Sequence, residues 1–107
     1  MQTVGQFSLR NQGGFAVKLQ FVYWDQSGNK IHVDGTGSYP IGQTKTAKPG
    51  DYGVPNGVLV SLYAFVVWGS DNEANQVFMY NSDSQVTANY TISGTTLNNS
   101  LALTSIS

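Results

Sequence analysis

The chain has 107 residues, a net charge of −1 and no cysteine. Hydrophobic residues make up 40% of it and charged residues only 10%, well under the roughly 25% of a typical soluble domain. The basic residues Arg10, Lys18, Lys30, Lys45 and Lys48 form no run, which argues against a nucleic-acid reader and against strong attraction to anionic lipid, while the missing thiols exclude disulfide frameworks, thiolate nucleophiles and Cys-based zinc sites.

In chain order, a first strand over 4–10 ends in the turn Asn11-Gln12-Gly13-Gly14. The second, 15–24, alternates strictly: Phe15, Val17, Leu19, Phe21 and Tyr23 on one face, Lys18 and Gln20 on the other, the mark of a half-buried strand. Asp25-Gln26-Ser27-Gly28-Asn29 closes it. A short strand over 30–34 sets Ile31 and Val33 inward and His32 outward, and Asp34-Gly35 is a hairpin-type dipeptide. A strand over 37–47 leads into the longest irregular stretch, 48–56. The run 57–68 is apolar at nearly every position and predicts a central strand covered on both faces. Strands over 75–80, 85–93 and 96–106 follow, with Val86, Ala88, Tyr90 and Ile92 inward and Gln85, Thr87, Asn89 and Thr91 outward.

About eight strands at this spacing predict an all-β fold, an antiparallel β-sandwich that is jelly-roll-like, forming one domain over 1–107; a closed barrel is the alternative. The start of the chain has neither a basic n-region nor an apolar h-region, so the expectation is no signal peptide, and a cytoplasmic protein or one released by a leaderless route. Asn89-Tyr90-Thr91 and Asn98-Asn99-Ser100 match the glycosylation pattern and read as coincidental in that setting.

Catalysis finds little support. The one histidine, His32, lies on a strand beside Lys30 and Asp34 without the partners that acid–base work needs. Neither a nucleophile elbow nor a phosphate loop is present. Asp71-Asn72-Glu73-Ala74-Asn75 has oxygen ligands dense enough for calcium but lacks the spacing of a known loop, and reads as a polar hairpin tip. The expectation is a non-enzyme with no metal and no obligatory cofactor.

Loops carry the functional expectation. Successive strands of an antiparallel sandwich reverse direction, so loops 25–29, 48–56 and 81–84 should share one end, and loops 11–14, 34–37, 69–74 and 94–95 the other. The first end then gathers Trp24, Asp25, Asn29, Asp51, Tyr52, Asn56, Tyr80, Asn81 and Asp83. An aromatic face packs against the C–H face of a pyranose while carboxylates and amides take its hydroxyls, so this set predicts a sugar site. The competing reading is that Asn and Asp are turn formers and that Trp24, Tyr52 and Tyr80 cap the core. The other end, with Trp68, Asp71, Asn72 and Glu73, offers a thinner set. Val22, Trp24, Tyr63, Phe65 and Val67 face away from the inward set and predict a sheet face too apolar for water, one that packs on a second subunit as a homo-oligomer or docks on a membrane surface.

The pattern Phe7-Ser-Leu-Arg-Asn11-Gln-Gly-Gly-Phe15-Ala-Val-Lys, Tyr23 to Gly28, Ile41-Gly42-Gln43-Thr44-Lys45-Thr46 and Tyr90-Thr-Ile-Ser-Gly-Thr-Thr-Leu97-Asn98 resembles small leaderless β-sandwich proteins that include slime-mould hemagglutinins. The resemblance spans most of the chain and implies a jelly-roll lectin that recognises cell-surface glycans or glycoconjugates; a dimer would let it agglutinate. More weakly, Tyr90, Ser93-Gly94, Leu97 and Leu101 through Ile106 resemble the last strands of aegerolysins, and the aromatic-rich middle is similar to actinoporin-like sandwiches. That likeness implies a membrane-binding cytolysin or insecticidal toxin component, although no N-terminal amphipathic segment is present to insert.

Overall fold

A computed structural model describes residues 1–107. Ten strands form: β1 (Thr3–Val4), β2 (Gln6–Gly13), β3 (Val17–Trp24), β4 (Lys30–Val33), β5 (Thr44–Ala47), β6 (Leu59–Val66), β7 (Asn72–Glu73), β8 (Phe78–Tyr80), β9 (Thr87–Gly94) and β10 (Asn99–Ile106), with one 3-10 turn over Pro49–Tyr52. One sheet runs β1-β8-β6-β3-β4, with β7 also pairing β6; the other runs β10-β9-β2-β5. The two sheets pack as a sandwich, as the alternation predicts.

Several features depart from expectation, among them the short β7 inside the expected turn 69–74 and the trimming of the strand over 75–80 to β8. The sheets are mixed, because β2 runs parallel to β9 and β1 parallel to β8. The cause lies at Gly5, where the chain leaves one sheet for the other so closely against the Ser84 carbonyl that a β-carbon would collide with it. The expected strand over 4–10 is thus broken at Gly5 and extended to Gly13. Likewise, 37–47 keeps regular pairing only over β5; residues 37–43 form a loop that meets β3 at one isolated bridge, Val17 to Tyr39, and is bonded to Asn11 on β2.

Inward residues of both sheets fuse into one core. Phe7 is its hub, with ring centroids 5.6 Å from Phe21, 5.8 Å from Phe78 and 6.4 Å from Tyr90, spacings at which aromatic pairs attract beyond their area burial. The buried Asn11 donates to the carbonyls of Phe15 (2.7 Å) and Tyr39 (3.1 Å) and accepts from the Gly13 N–H. A residue read as a turn former therefore staples two loops, and every buried side-chain N or O has a partner.

Candidate functional site: two ends of the sandwich

The loops sort as the strand directions require. Loops 25–29, 48–58 and 81–86 meet at one end. Asn56 joins two of them: its Nδ2 donates to Ser82 Oγ (3.0 Å) and its Oδ1 accepts the Ser82 N–H (2.7 Å). The Tyr80 hydroxyl accepts the Gly50 N–H at 2.8 Å. All four concavities of the molecule open here, and they adjoin through shared lining residues: Gly57, Asn56, Tyr80, Lys48, Ser82 and Asp83. The most apolar, about 450 Å³, is walled by Trp24, Val58, Leu59 and Val77 over Asp25 and Gly57.

Geometry therefore gathers the nine residues singled out from the sequence, but it gives them unequal parts. Tyr80 is only 2% exposed; its ring is core and offers no face to a ligand. Tyr52 is half-buried against Phe21, 5.9 Å between centroids. Trp24 alone keeps an open aromatic surface on a concavity. Several polar groups are committed to the loops themselves. Asp25 Oδ1 accepts the N–H groups of Ser27 (2.9 Å) and Asn29 (2.8 Å), and the Asn29 amide donates to its other oxygen. The Asn29 N–H is the chief reason the Asp25 carboxyl lies below its ordinary 3.8. Asn81 accepts the Asp83 N–H. Asp51, Asp83 and Lys48 line the concavities without an ion-pair partner, since the molecule's one salt bridge lies elsewhere.

The opposite end looks different. Its loops, 13–16, 34–43, 67–71 and 94–98, carry no basic residue and only two acidic ones, Asp34 and Asp71. They touch one another: Ser70 N–H bonds the Thr96 carbonyl, Val67 N–H the Ala16 carbonyl, Gly14 N–H the Gly94 carbonyl and Gly42 N–H the Asn11 carbonyl. From them project Trp68, 94% exposed, Leu97, 75%, and Ile41, 60%. Trp68 holds φ at +62° and is the one non-glycine residue at positive φ. Bulky side chains avoid that region, at a cost of about 1–2 kcal/mol. The conformation is held from below by Asp71, whose carboxylate accepts the Val66 N–H (2.9 Å) and the Tyr63 hydroxyl (2.7 Å). The sequence placed Trp68 at the end of a strand and rated this end the thinner; positive φ at a bulky residue leaves no sequence signal beyond the Gly69 that follows.

The expected bare apolar sheet face is corrected. Across the outside of the β3–β6 sheet, Lys30 on β4 reaches Glu73 on β7 at 2.7 Å, spanning the two strands between. His32 lies 4.1 Å from the Tyr63 ring, centroid to centroid, and bonds Gln20 at 2.7 Å. Lys18 covers Phe65, and Lys30 approaches Trp24. Under this sheath Val22 is 1% exposed. Burial first, then the Asp71 hydrogen bond and the charges of Asp71 and Glu73, push the Tyr63 phenol up to about 12. The carboxylates considered for calcium are thus engaged by Tyr63, Val66 and Lys30, and no group of three or more His, Asp or Glu converges anywhere.

No known family and no curated protein matches the sequence, so the resemblance to slime-mould hemagglutinins and aegerolysins receives no support. Solved structures do match in shape. Listeriolysin O superposes with a TM-score of 0.49 at 18% identity over 94% of this chain and 22% of that one. The human-specific toxin intermedilysin gives 0.49 at 13%, over 96% and 23%. The membrane-binding domain of pneumolysin gives 0.44 at 11%, over 92% and 93%. The chain spans about a fifth of the length of the two whole toxins. Likenesses this distant decide nothing about what the chain binds.

Proposed function

We propose that this chain is a non-catalytic binding domain that docks on lipid membranes through the end bearing Trp68, Leu97 and Ile41. One observation carries the reading: a tryptophan held in an unfavourable backbone conformation and 94% exposed. A folded chain gains nothing from strain that presents a large ring to water; strain of this kind collects where function requires it. The surrounding loops carry no basic residue and only two acidic ones, Asp34 and Asp71, and the Asp71 carboxylate is already hydrogen-bonded to Tyr63 and Val66, so few charges stand to be desolvated on entering the headgroup region. Tryptophan favours that interface, and an apolar side chain that is fully buried gains about 1.5–3 kcal/mol. Three such residues suffice for reversible docking, with little dependence on salt because no basic cluster takes part.

Flotation with phosphatidylcholine vesicles, with and without sterol, tests this. The intact chain is expected to float, and Trp68→Ser to lower the bound fraction about tenfold or more. Undiminished flotation of Trp68→Ser together with Leu97→Ser overturns the reading.

A second reading rests on a separate observation, the clustering of every concavity at the other end around Trp24 and the unpaired Asp51, Asp83 and Lys48. It is a carbohydrate site, in which a sugar ring lies on Trp24 and hydroxyls meet the free polar groups. A glycan array probed with the intact chain and Trp24→Ala tests it; binding that survives the substitution removes the site.

A further inference from the structure

The margins of a β-sheet expose unpaired N–H and C=O groups, and proteins guard them with shortness, charge or proline. Four margins here are guarded. β1 and β7 have two residues each. β4 is four residues long and carries Lys30 and His32, and β5, also four, carries Lys45 and runs into Lys48-Pro49. β10 is the exception. It is eight residues long, lies at the end of its sheet with β9 as sole neighbour, and has neither charge nor proline. No loop bonds to the backbone of residues 100–106. On its inner side Leu101 and Leu103 pack against the core only in part.

The geometry points to β10 as a self-pairing edge through which two copies of this chain join antiparallel into one continuous eight-stranded sheet. A second copy is the occupant because the strand is chemically palindromic. Ser100-Leu101-Ala102-Leu103-Thr104 reads hydroxyl, leucine, alanine, leucine, hydroxyl from either direction. A two-fold axis normal to the sheet and centred on Ala102 sets Leu101 opposite the second copy's Leu103, Ser100 opposite its Thr104, and Ala102 opposite itself. Cross-strand pairs of like apolar and like hydroxyl residues are stabilising, and the same face stays inward in both copies. The register shift between Leu103 and Ser105 ends the regular edge, which restricts pairing to about five residues. So short a seam buries less than the roughly 1,600 Å² of a standard interface, and the dimer dissociates on dilution.

This axis reverses the strands, so the Trp68 ends of the two copies point in opposite directions. Resting on the membrane reading above, a dimer then bridges two bilayers.

Sedimentation velocity over about 5 to 500 µM tests the pairing by mass action. The intact chain is expected to move from monomer toward twice that mass. Ala102→Lys, exposed on the sheet's outer face, places two ammonium groups opposite each other at the axis and keeps the chain monomeric, as does Ala102→Glu; mixing the two variants restores the dimer. An intact chain that stays monomeric throughout overturns the inference, as does an Ala102→Lys variant that associates like the parent. Vesicle turbidity separates the two readings. Ala102→Lys that floats without aggregating vesicles supports the bridge, and failure of the intact chain to float counts against membrane docking alone, leaving the sedimentation result to stand for the edge.

Discussion

The two ends of this sandwich are built from the same kinds of loop and differ in how they treat polarity. At one end Asp25, Lys48, Asp51 and Asp83 ring a set of joined concavities, Asn56 ties one loop to another, and Asp25 orders its own loop. At the other, Asp34 and Asp71 are the only charges in the loops, none of the concavities opens, and three large apolar side chains stand in water. One end offers a socket and the other a foot. The difference teaches that richness in Asn and Asp marks order within loops as readily as capacity to bind, whereas an apolar side chain left exposed at a cost has no internal explanation.

The largest expected effect breaks or secures that contrast directly. Replacing Trp68, Leu97 and Ile41 together with serine should lower partition into phosphatidylcholine vesicles about a hundredfold and leave any binding at the Trp24 concavity untouched. Trp24→Ala should do the reverse. If Trp24→Ala weakens flotation as much as the triple replacement, the two ends are not separate in function.

Most of the fold was legible because a pleated chain alternates its side chains, and that alternation sets the inward residues of 15–24 and 85–93, although Gln20 and Val22 on the outward face of 15–24 are buried as well. The grouping of loops 25–29, 48–56 and 81–84 followed from strand direction alone. What could not be read were effects that depend on space rather than period. Gly5 lets the chain cross between sheets where a β-carbon would collide with the Ser84 carbonyl, and the crossing brings parallel pairs. Tyr80 sits in the pattern of a loop-end aromatic, yet its hydroxyl reaches back to Gly50 and its ring fills the core. The outward stripe of Val22, Tyr63 and Phe65 looked bare because the Lys30–Glu73 pair that shields it comes from residues 43 apart.

A middle-sized effect concerns rigidity. Asn56→Ala removes both bonds to Ser82 and should cost about 1 kcal/mol, read as a lowered denaturation midpoint, with flotation unchanged. Trp68→Gly should run the other way. Glycine accepts φ near +60° freely but gives up entropy in the unfolded chain, so a net gain of about 0.5–1 kcal/mol is expected, together with loss of vesicle binding. A variant both more stable and unable to dock is the signature of strain kept for function; a Trp68→Gly chain less stable than its parent would mean that the ring supports the fold after all.

The smallest effect is acid loosening of the concave end. The Asp25 carboxyl lies below 3.8, chiefly through the Asn29 N–H; desolvation opposes this, and the Asn29 side chain and the N–H groups of Ser27 and Gly28 add to the lowering. Folding therefore favours the ionised form. Its contribution is complete above the unfolded value and is lost as pH falls through the folded one, so the window lies below about pH 4. Neutralising Asp25 weakens the acceptor that orders 25–29, and Trp24 adjoins that loop. In a Trp68→Phe background, where Trp24 is the sole tryptophan, its emission should shift red below pH 4 ahead of the loss of strand signal in circular dichroism. Asp25→Asn keeps an oxygen acceptor but has no proton to gain, so it should hold the loop at neutral pH and abolish the early shift. An early shift that persists in Asp25→Asn would assign it to another carboxylate and detach the order of this end from Asp25.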